Sequence, residues 1–282
     1  MSYENKKNSF LKLFPILMFF SIIPLVIRLK VVKTPYMNYD WVKNEKVFAD
    51  IFFYYKNILI SVIGVIVLLY LIYNLYMERI KLNKVSYTFI IMIFLAWLSY
   101  FFAESKYLAF HGYKDRFEST FAVISYFVIA LYIYYMVDEL SIIKKIIKYS
   151  FFFILIIEFI GLTQLLGHNF FRSTVGNYIM AAKKYHSVLN FSKGNRVYLT
   201  LSNPNYVGSY ATLIIPILAG YFYKEKKFEK SIFYGLMYIT LTLLLAASKS
   251  RAGFLGAGFA IIIFTAIHLA MNIKKKNNNR KI

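Results

Sequence analysis

The sequence predicts an all-α fold: a polytopic transmembrane helical bundle of about eight spans, with both termini cytoplasmic. Three observations lead there. Hydrophobic residues make up 59% of the 282-residue chain and charged residues only 17%, with a mean hydropathy of +0.54. Soluble domains run at about 45–50% apolar and about 25% charged. Apolar runs of about 20 residues, the length needed to cross a hydrocarbon core, recur along the chain. The 34 lysines and arginines, which against 13 acidic residues give a formal net charge of +21, lie between those runs except for Lys12 and Lys56. That is how topology signals are arranged, and it argues against a nucleic-acid partner. A soluble globular enzyme, a disordered chain and a coiled coil are poor fits. The chain has no cysteine, which excludes disulfides, zinc–thiolate sites, thiol catalysis and iron–sulfur clusters.

The runs fall at roughly 10–27, 51–77, 86–103, 120–138, 150–167, 204–223, 231–247 and 252–273. The first lacks an A-x-A-like cleavage site and is followed by seven more, so it reads as a span and not as a signal peptide. Tyrosines crowd span ends, as at Tyr54, Tyr55, Tyr132, Tyr134 and Tyr135, in keeping with interfacial anchoring. No internal repeat of fixed period is visible, and 1–282 reads as one transmembrane domain. With the N-terminus inside, the short inner segments (Arg79, Lys81 and Lys84; Lys144, Lys145 and Lys148; Lys224, Lys226, Lys227 and Lys230) carry cations at higher density than the longer outer ones. This sets the N-in, C-in orientation. The long outer segments 28–50 and 168–203 are tyrosine-rich, and neither reads as a folded domain. Residues 274–282 form a basic cytoplasmic tail, expected to lie solvated against anionic lipid.

Three polar clusters interrupt the apolar pattern: His111–Glu118, Gly194–Gly208 and Ser248–Gly253. Each precedes a span that begins at the predicted outer face, so each lies at a helix N-terminus. Free N–H groups and the helix dipole favour an anion there, phosphate above all. Asn203 is a candidate N-cap with Pro204 at the first helical position, and Ser250 is a candidate cap for a helix starting near Arg251. Arg116, Arg196 and Arg251 would add guanidinium forks suited to phosphate. Taken singly, each cluster is most simply a helix start or an arginine on lipid headgroups. Their convergence on one face points to a site for a phosphate-bearing ligand.

Glu158 lies within a span, where a carboxylate is costly and by default a functional hypothesis; the plainer reading pairs it with Gln164 in helix packing. Lys12 and Lys56 sit near span ends and are expected to snorkel. His268 reads as structural, His168 and His186 as weak proton-carrier candidates, and Asp138 and Glu139 as solvated. No metal-ligand spacing, nucleotide loop or Ser–His–Asp set is present.

Arg196-Val-Tyr-Leu-Thr-Leu-Ser-Asn-Pro-Asn-Tyr-Val-Gly-Ser-Tyr210 resembles the O-antigen ligase and O-antigen polymerase superfamily, whose members carry an Arg followed by a Gly/Ser-Asn-Pro-Asn-x-x-Gly core entering a membrane helix. Ser248-Lys249-Ser250-Arg251-Ala252-Gly253 is similar to its Ser-Arg-Gly/Ala turn, and His111–Glu118 to its Gly-x-x-x-Arg-x-Glu loop. The match covers roughly 85 to 260. The resemblance implies a metal-independent, cofactor-free glycosyltransferase at the outer face of the cytoplasmic membrane. Its donor is a glycan on an isoprenoid diphosphate, and other envelope-polysaccharide assembly proteins are possible partners. It implies that arginines hold the diphosphate, with Arg251 first, Arg196 second and Arg116 third, supported by Asn203, Asn205 and Ser250. Family members continue into further spans and a large outer loop bearing an acceptor-activating histidine. None of His111, His168, His186 and His268 matches that position, so a truncated or divergent member is expected and the catalytic residue is unassigned. A glycolipid carrier or flippase, and an inactive fragment, are the alternative readings.

Overall fold

The computed structural model describes residues 12–33, 47–113, 116–137, 139–189 and 196–278. These residues are helical apart from one two-stranded hairpin and short connections. Six helices are long and apolar enough to cross a membrane, and two shorter apolar helices accompany them. The chain is a polytopic all-α membrane protein. It divides into two compact units: Met1–Ile154 with Tyr178–Lys183, and Leu155–Asn177 with Lys184–Ile282.

The first unit opens with α1 (Lys12–Leu25). Its second half is a π turn, Met18–Ile22, running into a 3-10 turn at Ile23–Leu25 that carries Pro24. Strands β1 (Lys30–Lys33) and β2 (Val47–Asp50) pair antiparallel with Lys30 opposite Asp50. Asp50 starts α2 (Tyr54–Tyr76): its Oδ2 accepts the N–H groups of Phe53 and Tyr54, both at 2.8 Å. Burial raises this carboxyl above its ordinary range, against the backbone bonds and the nearby Lys56 ammonium, which pull it down. Ile60, Ile63, Val67 and Leu71 recur at helical spacing on the buried face of α2. They share one core with Val128, Ile129, Leu131 and Tyr132 of α5 (Thr120–Met136). Tyr132 Oη donates to the Lys12 carbonyl at 2.7 Å, tying α5 to α1.

Helix α3 (Lys84–Phe102) begins with a reciprocal capping box between Asn83 and Ser86. Ser86 is its one buried residue, and Phe94, Trp97 and Phe101 are exposed. A helix apolar all round suits a lipid environment. The six-residue α4 (Lys106–His111) follows, and α6 (Leu140–Leu165) begins shortly after α5 ends.

In the second unit a 3-10 turn, Phe170–Arg172, leads into α7 (Thr174–Met180), whose last three residues belong to the first unit. Helix α8 (Pro204–Lys224) then packs against both α9 (Phe228–Ser248) and α10 (Arg251–Asn278). Val207, Gly208, Ala211, Ile215 and Leu218 form its buried stripe.

Among the described residues each of the eight apolar runs is mostly helical, with shifted ends. The run at 150–167 is the distal part of α6, whose 26 residues start ten positions earlier and carry Lys144, Lys145 and Lys148 in their first turns. The run at 120–138 gives only 17 helical residues, about 25 Å at 1.5 Å per residue. Segment 28–50 contains the hairpin, which the sequence reading missed because four-residue strands leave little periodicity. Lys56 does not snorkel: it is buried, 9% exposed, near Asp50. Helix α10 continues through Asn278, so the first half of the basic tail is helical. Residues 279–282, Asp138, Lys114 and Asp115 of the first cluster, and Gly194 and Asn195 of the second lie outside the described residues.

Candidate functional site

In the second unit the loop 196–203 and the turn between α9 and α10 come together. Helix α9 ends at Ser248, and Lys249 takes a left-handed conformation, φ 54°. Two fully buried serines organise the turn. Ser248 Oγ donates to the Leu245 carbonyl at 2.7 Å and accepts the Ser250 N–H at 3.2 Å. Ser250 Oγ accepts the Gly253 N–H at 3.2 Å and so caps α10. Arg196 reaches across from the loop. Its Nε donates to the Ser248 carbonyl at 2.7 Å and its Nη2 to the Lys249 carbonyl at 3.3 Å, while the Val197 N–H bonds the Ala247 carbonyl. Arg196 therefore serves the C-terminus of α9, where a cation is favourable. A guanidinium carries five N–H donors, so this exposed side chain retains donors beyond the two committed here.

Arg251 is exposed at the first position of α10. Among the described residues its guanidinium has no hydrogen-bond or ion-pair partner. The first turn of α10 contains no acidic residue, so this cation sits at the positive end of a helix dipole with nothing described to balance it. Such a placement is unfavourable by about 0.3–1 kcal/mol and is relieved by a bound anion.

Helix α8 begins beside it. Asn203 Oδ1 accepts the Asn205 N–H at 2.9 Å, Pro204 occupies the first position and Asn205 is exposed. The first turns of the two helices touch. A Cβ on Gly253 would stand 2.4 Å from the Gly208 Cα, and one on Gly208 would stand 2.5 Å from Ser250 Oγ. Only glycine permits that approach. Two positive helix ends, Arg196 and Arg251 are thus gathered at one junction.

The loop is held from α6. Gln164 Oε1 accepts the N–H groups of Tyr198 and Leu199 at 3.0 and 2.8 Å, and its Nε2 donates to the Leu199 carbonyl at 3.0 Å. One turn away, the absent side chain of Gly161 makes room for Leu199, whose Cδ2 would be 2.5 Å from a Cβ there. Gln164 is therefore a loop clamp and not the partner of Glu158. Glu158, 3% exposed, has an Oε1 with no hydrogen-bond partner among the described residues, and Tyr210 of α8 lies within its electrostatic reach. Asn169 Nδ2 donates to Tyr198 Oη at 2.8 Å. Burial raises the Tyr198 phenol, against that bond and the charge of Arg172. Asn169 and Arg172 escaped the sequence reading because no motif contains them, and Gln164 entered it only as a partner of Glu158.

Arg116 belongs to the first unit. Its side chain is exposed and its carbonyl accepts from Asn57 Nδ2 at 2.7 Å. Phe117 next to it is left-handed, φ 55°, and buried against Tyr54 at 5.4 Å between centroids. An open cleft of about 480 Å³ there is lined by Ala103, Glu104, Ser105, Leu108, Ala109, Tyr113 and Glu118, so carboxylates and not arginines face it. Five non-glycine residues among those described have positive φ: Glu78, Phe117, Leu199, Ser202 and Lys249. All but Glu78 lie in the three clusters. Each costs about 1–2 kcal/mol, and strain of this kind concentrates at functional sites.

His111 stacks on Tyr107 at 4.1 Å, and His268 packs against Tyr223 at 4.6 Å. No group of three metal-ligating side chains occurs among the described residues. No family model, curated protein or solved structure matches the chain.

Proposed function

We propose that the protein is an O-antigen ligase- or polymerase-like glycosyltransferase of the cytoplasmic membrane. It uses a glycan carried on an isoprenoid diphosphate as donor and works at the outer face in surface-polysaccharide assembly. The observation that carries this reading is Arg251, a cation without a described partner, standing where the first turns of α8 and α10 meet beside the clamped Arg196. Such a junction suits a diphosphate: preorganised cations and free backbone N–H groups act where the departing anion gathers charge. In this reading Arg251 holds the leaving diphosphate. Arg196 aligns the turn and offers its remaining donors, Asn203 and Ser250 orient the two helix ends, and Asn205 stands at the rim.

The test is transfer from a lipid-linked oligosaccharide by the full chain in proteoliposomes, alongside Arg251→Lys and Arg251→Ala. Both variants are expected to fold normally and to lose at least about a hundredfold in rate, the scale of removing one preorganised charge donor. Unchanged transfer by Arg251→Ala would reject the diphosphate clamp.

Glu158 favours a second reading, a glycolipid carrier or flippase, because buried intramembrane carboxylates mark transport and proton pathways. Translocation of the lipid-linked glycan across vesicles without a new glycosidic bond, lost in Glu158→Gln, would select it.

A further inference from the structure

One end of the first unit carries a concentrated cationic patch whose parts come from distant stretches of sequence. Arg79 and Lys81 lie between α2 and α3, Lys84 is the first residue of α3, and Lys144, Lys145 and Lys148 lie in the first turns of α6; all six are exposed. The end of α5 is bonded to the first group, and α6, which carries the second, begins at Leu140 just after α5 ends at Met136. Tyr135 Oη donates to the Lys81 carbonyl at 2.9 Å, and Asn83 Nδ2 donates to Tyr134 Oη at 2.9 Å. Ile80, Met136, Val137 and Ile146 pack on the same core. Against these six cations the sequence sets three carboxylates, Glu78, Asp138 and Glu139, the last of which accepts from Ser141 Oγ. The charge surplus is therefore not cancelled locally.

The surroundings identify the kind of partner. Exposed tyrosines border the cations: Tyr76 (80% exposed), Tyr87, Tyr134 and Tyr149. Beyond them α2 and α3 present exposed Leu69, Ile72, Ile90 and Ile91. Cations, then tyrosines, then an aliphatic wall reproduce the order of layers at a bilayer surface: headgroup, interface, hydrocarbon. A nucleic acid or an acidic soluble protein would match the first layer only.

We infer that this patch, Arg79, Lys81, Lys84, Lys144, Lys145 and Lys148, is a binding surface for anionic phospholipid headgroups. It stands independently of the glycosyl-transfer reading, since none of its residues takes part in the junction of α8 and α10. It requires this end to face the anionic leaflet.

The test uses the purified full chain in a neutral detergent, titrated with phosphatidylglycerol or with phosphatidylcholine. The readouts are thermal unfolding and lipid adducts retained in native mass spectrometry. Phosphatidylglycerol is expected to raise Tm with half-saturation at least about tenfold below that of phosphatidylcholine, an effect weakened by salt. The combined variant Lys144→Gln, Lys145→Gln, Lys148→Gln should shift half-saturation about tenfold or more, and the matching Lys→Arg variant should keep it. If the glutamine variant does not fold, Arg79→Gln, Lys81→Gln, Lys84→Gln serves in its place with the same expectation. Equal responses to the two lipids, or wild-type phosphatidylglycerol affinity in a folded glutamine variant, overturns the proposal.

Discussion

Gln164 holds three backbone groups of the loop 196–203 with one side-chain amide, and Leu199 behind it is fully buried. Truncation to Gln164→Ala leaves the Tyr198 and Leu199 N–H groups without these acceptors, at about 1–3 kcal/mol. Hydrogen exchange at 197–200 should accelerate while the core of α8 stays protected; unchanged exchange would remove Gln164 as the clamp. Glu158 is the converse case, a buried carboxylate oxygen with no described partner. If it only packs, Glu158→Leu should raise stability by about 1–3 kcal/mol, because an unpaired polar group is lost from an apolar site. Thermal unfolding in detergent reads this directly, and a large loss of stability would instead show that the carboxylate is held by a partner.

At the scale of elements, helix starts were legible and helix partners were not. Asn203-Pro204 and Ser250-Arg251 announce α8 and α10 because capping is local chemistry: a short polar side chain meets an amide two or three residues on. The crossing of those two helices depends on Gly208 and Gly253, 45 positions apart in the chain, and neither glycine names its partner. Gly253→Ala should push the first turns apart and cost about 1–3 kcal/mol as overpacking. Because the same shift opens the arginine junction, transfer should fall together with Tm. A variant that keeps both would contradict the contact. Arg196 carries a similar lesson. Its place in the motif marked it as a candidate anion ligand, whereas its position over the last carbonyls of α9 required the fold.

At the scale of the molecule, the absence of cysteine makes single introduced cysteines clean reporters of topology. The distribution of lysines expects Lys81→Cys, Lys145→Cys and Lys226→Cys to be shielded from an impermeant maleimide added outside intact cells, and Lys183→Cys and Lys249→Cys to react. Labelling of the first set from outside would reverse the orientation. A mixed pattern would show that α1 or α5, the two short apolar helices, does not cross.

Apolar length and cation placement were enough to give the class of the protein and to locate its apolar helices, though not the short α4 and α7. Apolar length and charge placement are properties of contiguous residues, and a bilayer reads them segment by segment. The sequence also marked the three polar clusters, since each is a run of neighbours. Only the tertiary structure decided which side chains in those clusters are spent on the fold and which remain available. Arg196 commits two of its donors to the carbonyls of Ser248 and Lys249, Lys56 is buried near Asp50, and Gln164 serves a loop 34 residues away; Arg251 keeps its guanidinium without a described partner. Those outcomes depend on pairs of residues far apart in the chain, whose meeting is set by packing and close approach that no local pattern encodes.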